Sequence, residues 1–269
     1  MAILLSGDFH NNARGEIHII TKESLISVYE KKLYSKIKYH IILGDAGFLW
    51  PKYDNMDSES FEILSKRKFP ILCVMGNHEP VYGRKDLPEE DIGIGEKVIV
   101  VNKENPFIAY LKRGKIYTID GYKILVLGGA LSTDKHRRIE GQSWWKEEYW
   151  SDEEKKAIFK LLKKENEFDF VVSHTGPYTI NWELACIGVP GRHGKTEDEV
   201  GELNDKIDKK IKHRAWFCGH WHYDYLNEEF NRDISCASKK YYYLYDYTAL
   251  LNKNKLIVGA ESWRKKINI

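Results

Sequence analysis

One nine-residue stretch decides the fold, and it reads Ile71-Leu72-Cys73-Val74-Met75-Gly76-Asn77-His78-Glu79. An apolar run of strand length ends at a glycine and is followed by an amide, an imidazole and a carboxylate. In α/β proteins, reactive side chains are presented in this way at the carboxyl edge of a parallel strand. The stretch therefore predicts a buried strand that leads directly into a functional site.

The same pattern recurs along the chain, where five further apolar segments stop at small or polar residues. Four of these stops also carry Asp or His. Because a single cluster of side chains explains so many similar strand ends, we expect them to meet at one site. The five stops are Gly7-Asp8-Phe9-His10, Gly44-Asp45, Gly128-Gly129, Ser173-His174 and Gly219-His220-Trp221-His222.

Strands alternate with amphipathic helices over the first part of the chain, and a hairpin is expected at Asp120-Gly121. A closing hairpin is expected between residues 241–250 and 255–260. Two halves, each with its own sheet and helices, predict an α/β fold in which a two-sheet β-sandwich is flanked by α-helices. We expect one domain over residues 1–269. Helices are predicted at residues 24–38, 57–68, 151–165 and 196–213, the last two beginning with the capping boxes Ser151/Glu154 and Thr196/Glu199.

Composition narrows the choice of partners. Lys plus Arg number 42 and Asp plus Glu 40, so a formal charge of +2 gives no general argument for nucleic acid. The four cysteines have no C-x-x-C spacing, and Cys73 and Cys218 lie in apolar strands as buried free thiols. No leader is recognisable, and no stretch approaches the roughly 20 apolar residues that span a bilayer. We expect a cytoplasmic protein without membrane contact.

Seven side chains qualify as metal ligands. Carboxylate, imidazole and amide donors without thiolate favour Mn, Fe or Zn, with Mn²⁺ preferred, and seven ligands exceed the need of one ion. Two ions about 3.5 to 4 Å apart can clamp a phosphoryl group and activate a water for in-line attack. The candidates are Asp8, His10, Asp45, Asn77, His174, His220 and His222.

Taken in this order, Gly7-Asp8-x-His10, Gly44-Asp45, Gly76-Asn77-His78-Glu79, His174 and Gly219-His220-x-His222 resemble the motifs of the calcineurin-like metallophosphoesterase family. The resemblance implies a four-layer α/β/β/α fold and a dinuclear centre. It implies that Asp8, His10 and His222 hold one ion, that Asn77, His174 and His220 hold the other, and that Asp45 bridges them. His78 would contact the scissile phosphate as an electrophile or as a general acid, or would support a ligand instead. We expect Glu79 to support a ligand or to be structural.

Three departures from the family pattern separate this chain from its better-defined branches. Gly44-Asp45 is followed by Ala46-Gly47-Phe48, so the later polar position of the second motif is lost. Asn11 follows the first histidine where many members have glycine. Met75 precedes Gly76 where Ser/Thr protein phosphatases carry arginine, which disfavours a protein phosphatase.

Substrate contacts are predicted from basic residues near the strand ends. The segment from Gly128 to Arg138 offers small residues and the paired arginines Arg137 and Arg138, which suit phosphate recognition. Residues 176–195 include Arg192 and are either a lid over the site or a solvated surface loop. The tryptophans Trp144, Trp145 and Trp150 are either a stacking platform or packing residues, and packing is favoured.

Three hypotheses about function are consistent with these residues, and the first is favoured. In the first hypothesis, the chain is a metal-dependent phosphoesterase that acts on a phosphomonoester or phosphodiester, a nucleotide being one candidate, through a water or hydroxide bridging two metal ions. Alternatively, the same centre serves a nuclease, against which the balanced charge argues. The third hypothesis is a non-catalytic adaptor with this fold, which would have no reason to retain seven ligands and His78.

Overall fold

The computed structural model describes residues 1–10, 21–49, 58–188, 198–226, 239–245, 248–252, 255–260 and 263–268. Five α-helices lie in this part of the chain: α1 Lys22–Tyr34, α2 Ser58–Ser65, α3 Asp152–Leu162, α4 Tyr178–Cys186 and α5 Glu199–Asp208. Its strands are β1 Ala2–Ser6, β2 Ile37–Ile42, β3 Ile71–Cys73, β4 Glu89–Glu90, β5 Val98–Asn102, β6 Ile108–Tyr110, β7 Lys115–Ile119, β8 Tyr122–Leu127, β9 Glu167–Ser173, β10 Lys212–Cys218, β11 Tyr225–Leu226, β12 Tyr241–Tyr243, β13 Thr248–Asn252, β14 Lys255–Ala260 and β15 Trp263–Asn268.

The strands form two mixed sheets. The first has the order β15-β14-β13-β1-β2-β3-β6-β5-β4, and the second has the order β11-β12-β10-β9-β8-β7. Strands β1, β2 and β3 are mutually parallel at the centre of the first sheet, and β8, β9, β10 and β12 are parallel in the second. The predicted two-sheet fold is confirmed.

Three apolar layers separate the elements. The inner faces of the two sheets meet in the largest cluster, where Ile3 and Ile41 lie with Phe170 and Phe217. The outer face of the second sheet packs against α3, α4 and α5. The outer face of the first sheet packs against α1 and α2. This is the four-layer α/β/β/α arrangement, in which alternate residues of each central strand are buried on opposite faces.

Local sequence signals that depend on short-range contacts are confirmed. Asp120 and Gly121 have φ values of 51° and 84° and join β7 to β8 in an antiparallel hairpin. Ser151 and Glu154 form the predicted capping box at the start of α3. Trp145 and Trp150 are buried, consistent with packing, and Cys73 and Cys218 are buried free thiols.

Several predicted boundaries are wrong because sheet pairing overrides helical periodicity. Helix α1 is capped by Thr21 and ends at Tyr34, since Ile37 onward pairs with β1. Helix α5 is capped by Asp198, whose side chain accepts from the Gly201 N–H, and Lys212 already pairs in β10. Thr196 and Asp57, the expected helix starts, lie outside the described residues.

The tail also differs from its prediction. Residues 241–250 are two strands instead of one, because β12 pairs with β10 in the second sheet and β13 pairs with β1 in the first. The β13–β14 hairpin is confirmed, and β15 extends it. Helix α4 occupies part of the predicted 176–195 loop, and residues 189–197 lie outside the described chain. None of the described helices is both long and apolar enough to cross a membrane.

A buried polar contact links β1 to β2 within the first sheet. His40 is fully buried, and its Nε2 lies 2.8 Å from Ser6 Oγ. The Arg67 guanidinium, itself buried, donates to His40 Nδ1 across 3.3 Å. Burial, and next the charge of Arg67, lower the pKa of His40 well below its usual value. The folded protein therefore keeps this imidazole neutral.

This buried imidazole predicts a pH-dependent stability. The unfolded chain binds a proton at His40 near pH 6.5 and the folded chain does not, so stability increases with pH up to about 7. We expect His40→Gln to remove up to about 1.4 kcal/mol per pH unit of this slope below pH 6. Urea unfolding between pH 5 and 8 in EDTA measures it, with the exposed His136→Gln as control. An unchanged slope in His40→Gln would contradict the assignment.

Candidate active site

All the predicted ligand positions follow the carboxyl ends of parallel strands. Asp8 and His10 follow β1, Asp45 follows β2, and Asn77 and His78 follow β3. His174 follows β9, whereas His220 and His222 follow β10. Since these strands belong to two sheets packed face to face, the structure brings their ends together at one edge of the sandwich.

One group of ligand atoms consists of Asp8, His10 and His222. Asp8 Oδ2 lies 2.9 Å from Nε2 of His222 and 4.0 Å from Nε2 of His10. The two histidine Nε2 atoms are 3.2 Å apart. Tyr245 stacks on the His222 ring with centroids 4.6 Å apart and an interplanar angle of 9°. The three ligand atoms lie within 4.8 Å of one another, close enough to hold one metal ion.

A second group surrounds His174, which is fully buried. Its Nε2 lies 2.8 Å from Asn77 Oδ1 and 3.4 Å from Asp45 Oδ1. The His220 ring packs edge-on against it, with centroids 4.9 Å apart. Asp8, Asp45 and His174 also lie within 4.8 Å of one another as a potential metal group, so Asp8 belongs to both groups.

The hydrogen-bond partners of His174 indicate a positive charge at its Nε2 atom, either a proton or a metal ion. Its Nδ1 lies 2.8 Å from the carbonyl oxygen of Leu43, which can only accept, so Nδ1 carries a proton. In the neutral tautomer, the Nε2 lone pair then faces two oxygens that also only accept, those of Asn77 and Asp45. A proton or a divalent ion must occupy this position, and the donor set of imidazole, amide and carboxylate suits a transition metal.

Charge in the site is concentrated on buried groups. Burial favours the neutral form of Asp45, but the neighbouring His174 and His78 outweigh it and hold the pKa of the carboxyl well below its usual value. Burial opposes the charge on His174, whereas Asp45 and Asp8 outweigh it and raise the pKa of the imidazole to about 9. Two buried carboxylates at this edge of the sandwich thus require compensating positive charge.

The backbone at this edge adopts conformations that non-glycine residues seldom occupy. His10, Asp45, His220 and His222 have φ values of 48°, 46°, 73° and 48°. Each such residue costs of the order of 1 to 3 kcal/mol, and clusters of them mark functional sites. Four strained residues among eight candidates indicate that side-chain placement here overrides backbone preference.

Two glycines leave room for the carboxylates. A Cβ at Gly76 would lie 2.1 Å from Asp45 Oδ1, and a Cβ at Gly219 would lie 2.3 Å from Asp8 Oδ1. In both cases, the neighbouring backbone N–H holds the same oxygen: His78 N donates to Asp45 Oδ1, and His220 N donates to Asp8 Oδ1. Any side chain at these glycines would displace a proposed ligand.

Glu79 braces the loop that carries Asp45. One carboxylate oxygen accepts from the Ala46 N–H at 2.6 Å and the other from the Tyr110 hydroxyl at 2.6 Å. Burial, and next the charge of Asp45, raise the pKa of Glu79 to about 8. The structure fits the structural role expected for Glu79.

The predicted substrate residues Arg137 and Arg138 lie in different environments. Arg138 lies beside His78, with its Nη2 atom 3.4 Å from His78 Nε2, and is held by an ion pair to Asp134 at 2.7 Å. Arg137 is exposed, and its Nε donates to the adjacent His136, so we do not assign it a substrate contact. Arg192 lies outside the described residues.

Two residues beside the site have no obvious signal in the sequence. The Asn77 side-chain amide donates to Ser132 Oγ at 2.9 Å, and Ser132 is bonded in turn to Glu148. Ser132 lies in the small-residue segment after β8 that drew attention for its arginines. Glu148 lies in an ordinary charged turn, where only the tertiary contact distinguishes it from its neighbours.

Comparison with known families identifies this arrangement. The family model for calcineurin-like phosphoesterases matches residues 1–224. The chain belongs to the calcineurin-like phosphoesterase family. Members of this family hydrolyse phosphoester bonds with divalent metal ions, so the protein is a metal-dependent hydrolase of phosphoester bonds. The resemblance found in the motifs is thereby confirmed.

Similar solved structures are distant. One is the phosphopantetheinyl hydrolase of Mycobacterium tuberculosis, with 11% identity over 91% of this chain and 90% of that one and a TM-score of 0.43. Another is a conserved protein of Streptococcus pneumoniae described as a predicted phosphoesterase, with 11% identity over 100% and 97% of the chains and a TM-score of 0.34. No curated protein matches this calcineurin-like phosphoesterase in sequence.

The close approach at Gly76 gives a test of the site. We expect Gly76→Ala to displace Asp45 and weaken binding of Mn²⁺ at least about tenfold, within the range found when support of a ligand is lost. Gly83→Ala is the matched control, because the nearest atom to its Cβ would be 3.8 Å away. Isothermal titration with Mn²⁺ measures both variants, and equal affinities would show that Asp45 does not bind metal.

Proposed function

We propose that this calcineurin-like phosphoesterase hydrolyses a small phosphomonoester or phosphodiester at a dinuclear metal centre. The observation that carries the proposal is the convergence of two ligand groups, around Asp8 and around His174, at the edge where the two sheets meet. Bound divalent ions would polarise the phosphoryl oxygens and lower the pKa of a coordinated water, which supplies the nucleophile.

We divide the ligands between two ions in the way that the family resemblance implies. We assign Asp8, His10 and His222 to one ion and Asn77, His174 and His220 to the other. Asp8 Oδ1 accepts from His220 N, which leaves Oδ2 for His10 and His222 and their ion. Asp45 lies on the His174 side of the site, and we assign it the bridging position that the family resemblance implies. Mn²⁺ is the ion we would test first.

His78 and Arg138 form the side of the site that would receive the phosphate. His78 is half-buried, and its backbone N–H donates to Asp45 Oδ1, which holds its backbone beside the proposed metal ligands. The Arg138 guanidinium is held by Asp134 and by the Ser143 carbonyl, which limits its motion. Together they present an imidazole and a cation, the groups that stabilise charge developing on a phosphoryl oxygen.

The test of the activity is hydrolysis of a chromogenic phosphomonoester and the matching phosphodiester by metal-stripped protein refilled with Mn²⁺. Cleavage of either supports the proposal, and the preferred ester directs the search to phosphatase or diesterase substrates, nucleotides included. Cleavage of neither ester, with two ions bound, would favour the non-catalytic adaptor. Tight single-stranded DNA binding that falls steeply with salt would instead favour a nuclease.

Two substitutions separate catalysis from metal binding. We expect His78→Ala to retain both ions and to lower kcat about 100-fold or more, because it removes a proposed phosphate contact. Asp45→Asn is expected to lower both metal content and kcat, because it removes the carboxylate that we assign to the bridging position. Metal analysis after gel filtration and steady-state kinetics with the preferred ester measure the two effects. Turnover at the parent rate in His78→Ala would refute its catalytic role.

Adjacent arginines provide a matched test of substrate recognition. Arg138→Gln should lower kcat/KM about tenfold or more by removing positive charge beside His78. Arg137→Gln should change it less than about twofold, since Arg137 is exposed and bonds to His136. Steady-state kinetics at constant ionic strength compares the two. Equal losses would indicate a general effect of charge instead of a defined contact.

A further inference from the structure

The side-chain amide of Asn77 has two chemically different ends, and only one of them can bind a metal ion. Its side-chain oxygen can bind a cation, whereas its amide nitrogen carries two protons and cannot. The two ends have nearly the same shape, so sterics alone do not select the orientation that faces Oδ1 toward His174 Nε2. A neighbouring group of defined hydrogen-bond polarity must make that choice.

Ser132 contacts the other end of this amide. Asn77 Nδ2 lies 2.9 Å from Ser132 Oγ, and Ser132 is 2% exposed, so water does not compete for the contact. A hydroxyl both donates and accepts, however. Ser132 alone would therefore tolerate either orientation of the Asn77 amide.

Glu148 removes this ambiguity. It is fully buried, and its Oε2 lies 2.5 Å from Ser132 Oγ while its Oε1 accepts from the Ser132 N–H at 3.2 Å. Both carboxyl oxygens therefore accept from Ser132, one from its N–H and the other from its hydroxyl, so the hydroxyl proton of Ser132 is committed to Glu148. The Ser132 oxygen is then left as an acceptor, and it must face the amide nitrogen of Asn77.

Arg113 holds the segment that carries Glu148. Its guanidinium donates to the carbonyl oxygens of Glu147 and Tyr149 at 2.8 and 3.1 Å and pairs with Glu154 through two bonds of 2.8 Å. The side chain is 7% exposed, so these charge-assisted bonds are shielded from solvent. The backbone on either side of Glu148 is thus held in place.

We propose that Ser132 and Glu148 are positioning residues that set the polarity of the Asn77 amide, with its oxygen toward the metal ion. This inference rests on the proposed role of Asn77 as a ligand. Proton donation runs in one direction, from Asn77 to Ser132 and from Ser132 to Glu148. The Glu148 carboxylate thus acts on Asn77 indirectly, through the hydrogen bonds Glu148–Ser132 and Ser132–Asn77.

The first test replaces the carboxylate by its amide. In Glu148→Gln, the new NH₂ group can donate to Ser132 Oγ, which frees the hydroxyl proton to face Asn77 and permits the amide to invert. We expect one of the two Mn²⁺ ions to bind about 10 to 100-fold more weakly, the cost typical of lost outer hydrogen bonds, while the other changes less than about threefold. Isothermal titration of metal-stripped protein resolves the two steps.

Ser132 has matched variants of its own. Ser132→Ala removes the hydroxyl that joins Asn77 to Glu148, so we expect it to weaken Mn²⁺ binding as Glu148→Gln does. Ser132→Thr keeps the hydroxyl, and its Mn²⁺ affinity should stay close to that of the parent. Ser143→Ala, in the same loop region, is the control for loss of a serine hydroxyl, because the Ser143 hydroxyl accepts from the Ile139 N–H. Thermal unfolding of each metal-free variant identifies any that fails to fold.

A polarity-reversed variant distinguishes orientation from general support. In Asn77→Asp, the residue at position 77 can only accept, so the Ser132 proton must turn toward it and away from Glu148. Adding Glu148→Gln supplies a donor that matches the reversed direction. We expect the double variant to bind the weaker Mn²⁺ ion more tightly than Asn77→Asp alone, although Glu148→Gln weakens binding in the parent.

The outcomes separate the inference from the function on which it depends. If the parent protein binds fewer than two ions, the proposed dinuclear site fails. If the parent binds two and Glu148→Gln binds both with parent affinity, the positioning role is refuted. Losses of equal size from Glu148→Gln in the parent and in the Asn77→Asp background would also refute it, because a purely structural carboxylate gives that result.

Discussion

Two carboxylates buried between two β-sheets are the constraint on which this structure depends. Asp8 and Asp45 are 1% and 2% exposed, so water cannot stabilise their charge. Imidazoles from four different loops surround them, and backbone N–H groups of His78 and His220 hold one oxygen of each. A site with this much buried negative charge is suited to bind divalent cations and to keep them in a fixed geometry.

Holding these side chains together strains the backbone. Four residues of the site have positive φ, and glycines are needed where the chain passes within contact distance of a carboxylate. The packing of the two sheets offsets this cost, since the site lies at the rim of an extensive apolar layer formed by both. Function and stability are therefore divided between the loops and the strands that carry them.

The residues outside the ligand groups determine how those groups are presented. Glu79 ties the Asp45 loop to Tyr110 on β6, whereas Glu148 reaches Asn77 through Ser132. Both are fully buried acids whose oxygens are used for hydrogen bonds to the protein. Catalytic geometry in such a centre depends on these contacts as well as on the ligands, because a ligand with freedom to rotate binds its ion poorly.

Much of the fold and of the candidate site can be predicted from the sequence alone. Apolar runs ending in Gly-Asp, Gly-Asn-His and Gly-His-x-His specify the strands, the edge at which they present chemistry and the family, because these signals are local and period-dependent. The Asp120-Gly121 turn and the Ser151 cap are likewise local. Tertiary structure decided the rest. Strand pairing ended α1 before Ile37 and divided residues 241–250 between two sheets. The folded segment after β8 places Arg138, and not Arg137, beside His78. The pairing of Glu148 with Ser132 joins residues whose local sequences carry no mark of it, since a hydrogen bond between distant segments exists only once the sheets have brought them together.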